Sequence, residues 1–172
     1  GSVRGIVAAY LGRNYTGIEL RGEQVEANRI QATAIGTSGD VKWIEGDSVN
    51  AERLLPDNYR ADFIFSCPPY ADLEVYSDDP RDLSTMEYSA FCIAYGKIIE
   101  AAASRLAENR FACFVVGDVR DRAGCYRNFV SETIAAFEAA GLRLYNEAIL
   151  VTAAGSLAIR VKRQFEAGRK LG

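Results

Sequence analysis

The segment Ser66-Cys67-Pro68-Pro69-Tyr70 restricts the chemistry of this chain more than any other. An apolar run over 61–65 feeds straight into two prolines, which lack N–H groups and cannot continue a central strand. Backbone carbonyls there stay free to accept hydrogen bonds from a substrate. The Tyr70 ring adds a flat surface on which a base can stack. The expected outcome is a rigid, exposed ledge. A Pro-Pro pair also serves as a plain stiff corner, so its meaning depends on what stands beside it.

Two carboxylates are the first neighbours to consider. Glu19 falls at the end of an expected strand, Tyr15-Thr16-Gly17-Ile18-Glu19-Leu20. An acid in that place can accept two hydrogen bonds from ribose hydroxyls, or it can be a solvated strand end. Asp47 follows the next strand in Ile44-Glu45-Gly46-Asp47-Ser48. It can accept from the exocyclic amine of an adenine, with Gly46 admitting the ring closely. The same side chain can instead cap a turn.

The chain contains no histidine, which excludes Ser-His-Asp and Cys-His catalysis within it. Cys67, Cys92, Cys113 and Cys125 form no C-x-x-C pair. They read as reduced, mostly buried thiols rather than a metal site, and no metal is expected. Chemistry must come from carboxylates, hydroxyls, backbone groups or a cofactor.

These residues need elements to position them, and the pattern alternates between helix and strand. Residues 3–11 are small, apolar and helix-compatible, and 15–20 read as a strand. The stretch 23–35 has helical spacing, with Val25, Ile30 and Ile35 available for an inner face. A strand at 41–44 precedes a short helix at 51–55, which Pro56 ends. The 61–65 run suits a strand buried on both faces. Ser84 and Glu87 make a capping box for a helix running to about 106, with Phe91, Ile98 and Ile99 toward the sheet. A buried strand at 111–116, a helix at 129–140 stopped by Gly141, and a long strand at 142–152 complete the series. Such alternation implies parallel βαβ crossovers and a covered sheet, whose ligands bind beyond the carboxyl ends of the strands.

Length and composition bound the answer further. The 172 residues suit one domain, over 1–172, and 49% hydrophobic with 25% charged residues is ordinary for a globular protein. No apolar run is long enough to span a membrane, and Gly1 to Gly5 lack a signal-peptide pattern. A cytoplasmic protein with no membrane partner is the default expectation. The net charge of −3 argues against a protein that coats nucleic acid. Asp72, Glu74, Asp78, Asp79 and Asp82 form an acidic stretch, expected to move or to face away from any phosphate. Arg160, Lys162, Arg163, Arg169 and Lys170 form a basic end that is either solvated or a phosphate-contacting arm.

In combination and in order, these features resemble the S-adenosylmethionine-dependent amino-methyltransferases that modify cytosine N4 or adenine N6 in DNA. Those of phages and prophages are nearest in character. Gly1-Ser2-Val3-Arg4-Gly5-Ile6-Val7-Ala8-Ala9 looks like the tail of that family's glycine-rich cofactor loop and the helix after it. Tyr15 to Leu20 is similar to the acidic-strand motif, and Glu45 to Ser48 to the adenine-contacting one. Ser66 to Tyr70 resembles the catalytic motif, and Val115-Val116-Gly117-Asp118 a strand end beside the target-base pocket. The resemblance covers 1 to about 152.

The resemblance implies a doubly wound, Rossmann-like α/β sheet of the class I methyltransferase type. It implies that the family's first strand precedes Gly1 and its last follows Gly172. Gly1, Glu19, Leu20, Asp47 and Ser48 would bind S-adenosylmethionine. Ser66, Cys67, Pro68, Pro69 and Tyr70 would act on a base flipped out of DNA. The methyl passes directly from the sulfonium to the amine, held by the carbonyl of Pro68 and by the side chain before it. Cys67 departs from the usual Asp, Asn or Ser there, and a thiol is a weak acceptor. Either Ser66 supplies the oxygen or the Pro68 carbonyl works largely alone. The target leans toward cytosine N4. Cytosine C5 chemistry requires a cysteine after a proline, whereas Cys67 precedes Pro68. RNA or protein-amide methylation, and an inactive binding domain, are the competing readings.

Overall fold

A computed structural model of the chain describes residues 2–36, 39–73 and 75–151. Gly1, Glu74, Thr152 and the basic residues Arg160, Lys162, Arg163, Arg169 and Lys170, with the roles expected of Gly1 and the basic end, lie outside them.

Helices and strands alternate in the order α1 (Ser2–Tyr10), β1 (Tyr15–Glu19), α2 (Gly22–Ile35), β2 (Val41–Glu45), α3 (Ala51–Leu54), β3 (Ala61–Ser66), α4 (Tyr88–Ala103), β4 (Leu106–Phe114) and α5 (Phe129–Ala139). Short 3-10 turns stand at Ser48–Asn50, Ala71–Leu73 and Leu83–Thr85. β1 and β2 pair in parallel from Tyr15↔Val41 to Glu19↔Glu45. β3 and β4 pair in parallel from Ala61↔Leu106 to Ser66↔Phe114. A bulge interrupts the second ladder after Ala61, and within it Asn109 turns left-handed at φ 54°. The class is therefore α/β with parallel strands. Among the described residues the strands form two two-stranded sheets instead of one continuous doubly wound sheet.

Small residues let α1 lie close on the first sheet. A Cβ on Gly5 would stand 2.7 Å from Trp43 Cζ2 and 2.9 Å from Tyr15 Cδ1. Those two rings meet at 5.9 Å, and Ala9 is fully buried. α2 buries Val25 and Asn28, whereas Ile30 and Ile35 are exposed. The expected inner face of Val25, Ile30 and Ile35 is corrected by geometry. At about 100° per residue, Ile30 lies roughly 140° around the helix from Val25.

The principal core forms where α4 and α5 cover the second sheet. Phe91, Tyr95 and Ile99 repeat every four residues along α4 and meet Phe129 of α5. Each such side chain contributes roughly 1.5–3 kcal/mol by leaving water. Ile98 is half-buried beside them. Tyr95 and Thr133 share a buried hydrogen bond of 3.2 Å between their hydroxyls.

Other expectations for this half need correcting. β3 is not buried on both faces: Phe63 and Phe65 alternate onto an open side, 55% and 45% exposed. Phe114, which packs on the core, belongs to the opposite, covered side. β4 begins at Leu106 and ends at Phe114, where 111–116 was expected. Residues 142–151 form no strand and leave Ile149, Leu150 and Val151 exposed. Ser84 does not cap α4. Asp82 caps the 3-10 turn before it, and Ser84 Oγ is bound within that turn's own network.

Candidate active site

Parallel pairing brings the ends of β1 and β2 to one level, because the Gly46 N–H donates to the Glu19 carbonyl at 2.9 Å. Glu19 and Asp47 therefore leave the first sheet side by side. One Glu19 oxygen, Oε1, accepts from the Arg21 N–H at 3.3 Å, so the carboxylate folds over its own turn. Asp47 Oδ1 accepts from the Val49 N–H at 3.0 Å and caps the 3-10 turn. The capping role is thus real, and it commits one of its two oxygens. Leu20 and Ser48 beside them are half-buried. Gly46 answers first to packing, since a Cβ there would stand 2.6 Å from Leu54 Cδ1.

Asp47 also borders a cavity of about 380 Å³. Val49, Leu83, Met86 and Ile98 give it apolar walls, and Arg81 and Lys97 give it cationic edges. Leu83 and Met86 belong to the loop that follows the Pro-Pro segment. One wall of the cavity is therefore set by β2 and another by the continuation of β3.

At the end of β3, Ser66 is still in the ladder and its carbonyl accepts from the Val115 N–H at 2.8 Å. Cys67 is exposed, Pro68 is buried, and Pro69 and Tyr70 are half-buried. Tyr70 is less open than a free ledge would make it. Its ring meets Phe129 edge-on at 5.8 Å, and its hydroxyl donates to the Val115 carbonyl at 3.4 Å. Among the described residues no group hydrogen-bonds to the Pro68 carbonyl.

Two arginines join the strand ends. Arg4 of α1 donates from Nη2 to the Cys67 carbonyl at 3.4 Å. Arg21, two residues past Glu19, donates from Nη1 to the Tyr76 carbonyl at 2.8 Å. The turn after β1 and the loop after β3 are thereby held together. Sequence reasoning missed both contacts, because an arginine's partner 55 or 63 residues away leaves no local signal.

Within the acidic stretch, Asp79 and Asp82 are held by local hydrogen bonds. Asp82, 7% exposed, accepts from the Ser84 N–H, the Ser84 hydroxyl at 2.7 Å and the Ser77 hydroxyl at 2.7 Å. Ser84 Oγ in turn accepts from the Tyr76 N–H at 3.0 Å. Hydrogen bonds from the Arg81 side chain hold the Asp79 carboxyl below its ordinary value. The Asp82-Leu83-Ser84 spacing is the signal for this turn, which the apparent Ser84–Glu87 capping box concealed.

Burial raises the Tyr15 phenol; nearby Arg4 lowers it, and Glu19 raises it further. Of the cysteines, Cys67, Cys113 and Cys125 are exposed and only Cys92 is half-buried, contrary to the expectation of buried thiols. Among the described residues no helix is long and apolar enough to cross a membrane, and no cluster of three or more acids and cysteines is arranged to hold a metal ion. The structure thus brings Glu19, Leu20, Asp47 and Ser48 to one sheet end, bonds Arg4 of α1 to Cys67, and bonds Arg21 beside Glu19 to Tyr76 in the loop after Tyr70. No protein-family model matches the chain, and no curated protein matches it.

Proposed function

We propose that this chain transfers a methyl group from S-adenosylmethionine to an exocyclic amine of a DNA base, with cytosine N4 favoured over adenine N6. The reading takes the two sheets as parts of a doubly wound, Rossmann-like arrangement. The observation that carries it is the fastening of the Glu19 turn to the loop after Tyr70, by the Arg21–Tyr76 bond of 2.8 Å. On this reading, carboxylates able to hold a nucleoside and a proline ledge able to hold an amine share one end of the strands.

The residues present suit the cofactor. The oxygen of Glu19 left over from its bond to Arg21 can take ribose hydroxyls, and that of Asp47 left over from its cap can take an adenine amine. The apolar walls beside Asp47 suit a flat ring. When bound, S-adenosylmethionine supplies an electrophilic methyl on a sulfonium.

The chain's own work is positioning. The Pro68 carbonyl accepts an N–H of the target amine and draws its lone pair out of conjugation with the ring. Arg4, bound at the Cys67 carbonyl, steadies the backbone just before that acceptor. Tyr70, backed by Phe129, offers its remaining open surface to the flipped base. The proton released by the methylated amine leaves to solvent.

Incubating the protein with methyl-labelled S-adenosylmethionine and, separately, DNA, RNA and protein tests the assignment. Label entering DNA is expected. Label entering only RNA or only protein rejects the DNA substrate, and label entering none rejects the activity.

A further inference from the structure

The hairpin over 119–127 leaves the end of β4 and carries three arginines, Arg120, Arg122 and Arg127. Arg120 and Tyr126 form an antiparallel bridge. Backbone bonds fix it: Arg127 N–H to the Val119 carbonyl at 2.9 Å, Asp121 N–H to Cys125 at 2.9 Å and Gly124 N–H to Asp121 at 3.1 Å. Gly124 takes φ 88°, the left-handed position that such a short hairpin loop needs. Arg122 therefore sits at the tip of a built turn.

Two nearby aspartates each bond a backbone N–H. Asp121 Oδ1 accepts from the Cys125 N–H at 2.9 Å, and Asp118 Oδ1 from the Val130 N–H at 3.3 Å. Two of the arginines lie over rings. The Arg120 guanidinium lies 4.1 Å from the centre of the Tyr126 ring and donates to the Gly124 carbonyl at 2.7 Å. That of Arg127 lies 4.6 Å from the centre of the Tyr88 ring. Arg122 is exposed, and among the described residues no acid pairs with it. An arginine stacked on an aromatic keeps the edge of its fork for a phosphate. Tyr126, 60% exposed, adds a stacking surface.

A relay of contacts connects the hairpin to the ledge. It leaves the strand end whose Val115 carbonyl accepts from the Tyr70 hydroxyl. The Tyr88 hydroxyl donates to the Arg127 carbonyl at 3.2 Å. From Tyr88 a run of ring contacts passes through Phe91 and Phe129 to Tyr70.

We infer that this hairpin grips the phosphate backbone of the DNA strand bearing the target base, with Arg122 as its leading contact and Arg120 and Tyr126 beside it. The inference rests on the reading of the ledge as the base-handling site. An exposed arginine at the tip of a built turn, beside a second arginine stacked on an exposed ring, favours a polyanion. Interleaving with aromatics suits a nucleic-acid strand better than an acidic peptide.

The test is fluorescence anisotropy of labelled duplex DNA against a potassium chloride series, with S-adenosylhomocysteine present, for wild type, Arg122→Ala and Arg122→Lys. Arg122→Ala should weaken binding roughly threefold to tenfold at moderate salt and lower the slope of log affinity against log salt by about one. Arg122→Lys should keep the slope, and calorimetry should give both variants wild-type cofactor affinity. An unchanged affinity and slope in Arg122→Ala, with DNA still methylated, overturns this inference alone. A wild-type protein that neither binds nor methylates DNA overturns the methylation reading as well. Tighter binding of RNA than of DNA, with the same dependence on Arg122, overturns the assignment to DNA.

Discussion

Arg21 Nη1 stands 2.8 Å from the carbonyl oxygen of Tyr76, and this bond spans the gap between the turn that carries Glu19 and the loop that continues from Tyr70. No strand pairing joins β1 to β3. The carboxylates and the proline ledge are therefore linked by packing of α4 on the 3-10 turn after β2 and by side chains reaching across, among them Arg21 and Arg4.

Replacing Arg21 with Met keeps the stem and removes the donor. A hydrogen bond from a charged group contributes about 1.5–3 kcal/mol, discounted here because the side chain is 29% exposed. A stability loss of about 1 kcal/mol is expected in urea unfolding. Methyl transfer should fall by about tenfold or more, with cofactor affinity changing less. Equal activity in the variant and the wild type would show that the bond does not position the site.

The packing of α1 predicts a stability effect at Gly5. Its absent Cβ would fall within 2.7 Å of Trp43 and 2.9 Å of Tyr15, both ring atoms. Gly5→Ala gains helix propensity of about 1 kcal/mol but forces the two rings apart, at a cost of roughly 1–3 kcal/mol. A lower thermal midpoint, with a change in tryptophan fluorescence, is expected. A higher midpoint would mean that α1 does not lie against this ring pair.

Much of this arrangement is legible in the sequence. The alternation of elements follows from periodicity, and all but one of the expected elements form, although β4 begins at Leu106 and not at 111. The placement of Glu19 and Asp47 at adjoining strand ends follows from parallel pairing alone. What failed did so for physical reasons. Ile30 and Ile35 are apolar but lie off the buried stripe of α2. Phe63 and Phe65 read as core because aromatics favour strands, although only the other side of the second sheet is covered. Tyr70 read as a free platform because its contacts with Phe129 and Val115 come from distant parts of the chain. The strand expected over 142–152 has apolar residues, but a strand also needs a partner, and residues 142–151 pair with none among the described residues.

Three phenols predict an alkaline weakening of the fold. Burial raises Tyr95 above its ordinary value, pushes Tyr88 up to about 12 and raises Tyr15. In the unfolded chain these groups ionise near pH 10. A phenol whose folded value is raised contributes stability that is complete below pH 10 and is lost as pH rises through the folded value. For Tyr88 that window runs from 10 to about 12. Urea unfolding between pH 8 and 11.5 should show a falling midpoint above about 10, and Tyr95→Phe should flatten the fall. A midpoint independent of pH in that range would contradict the burial of these hydroxyls.

The central claim is spatial, and the most direct measurement is the crystal structure of the protein with S-adenosylhomocysteine. The account predicts ribose hydroxyls on Glu19, the adenine ring beside Asp47 against Val49, and the thioether sulfur facing the Pro68 carbonyl. A ligand bound away from Glu19, or one whose sulfur points away from the proline ledge, would contradict it.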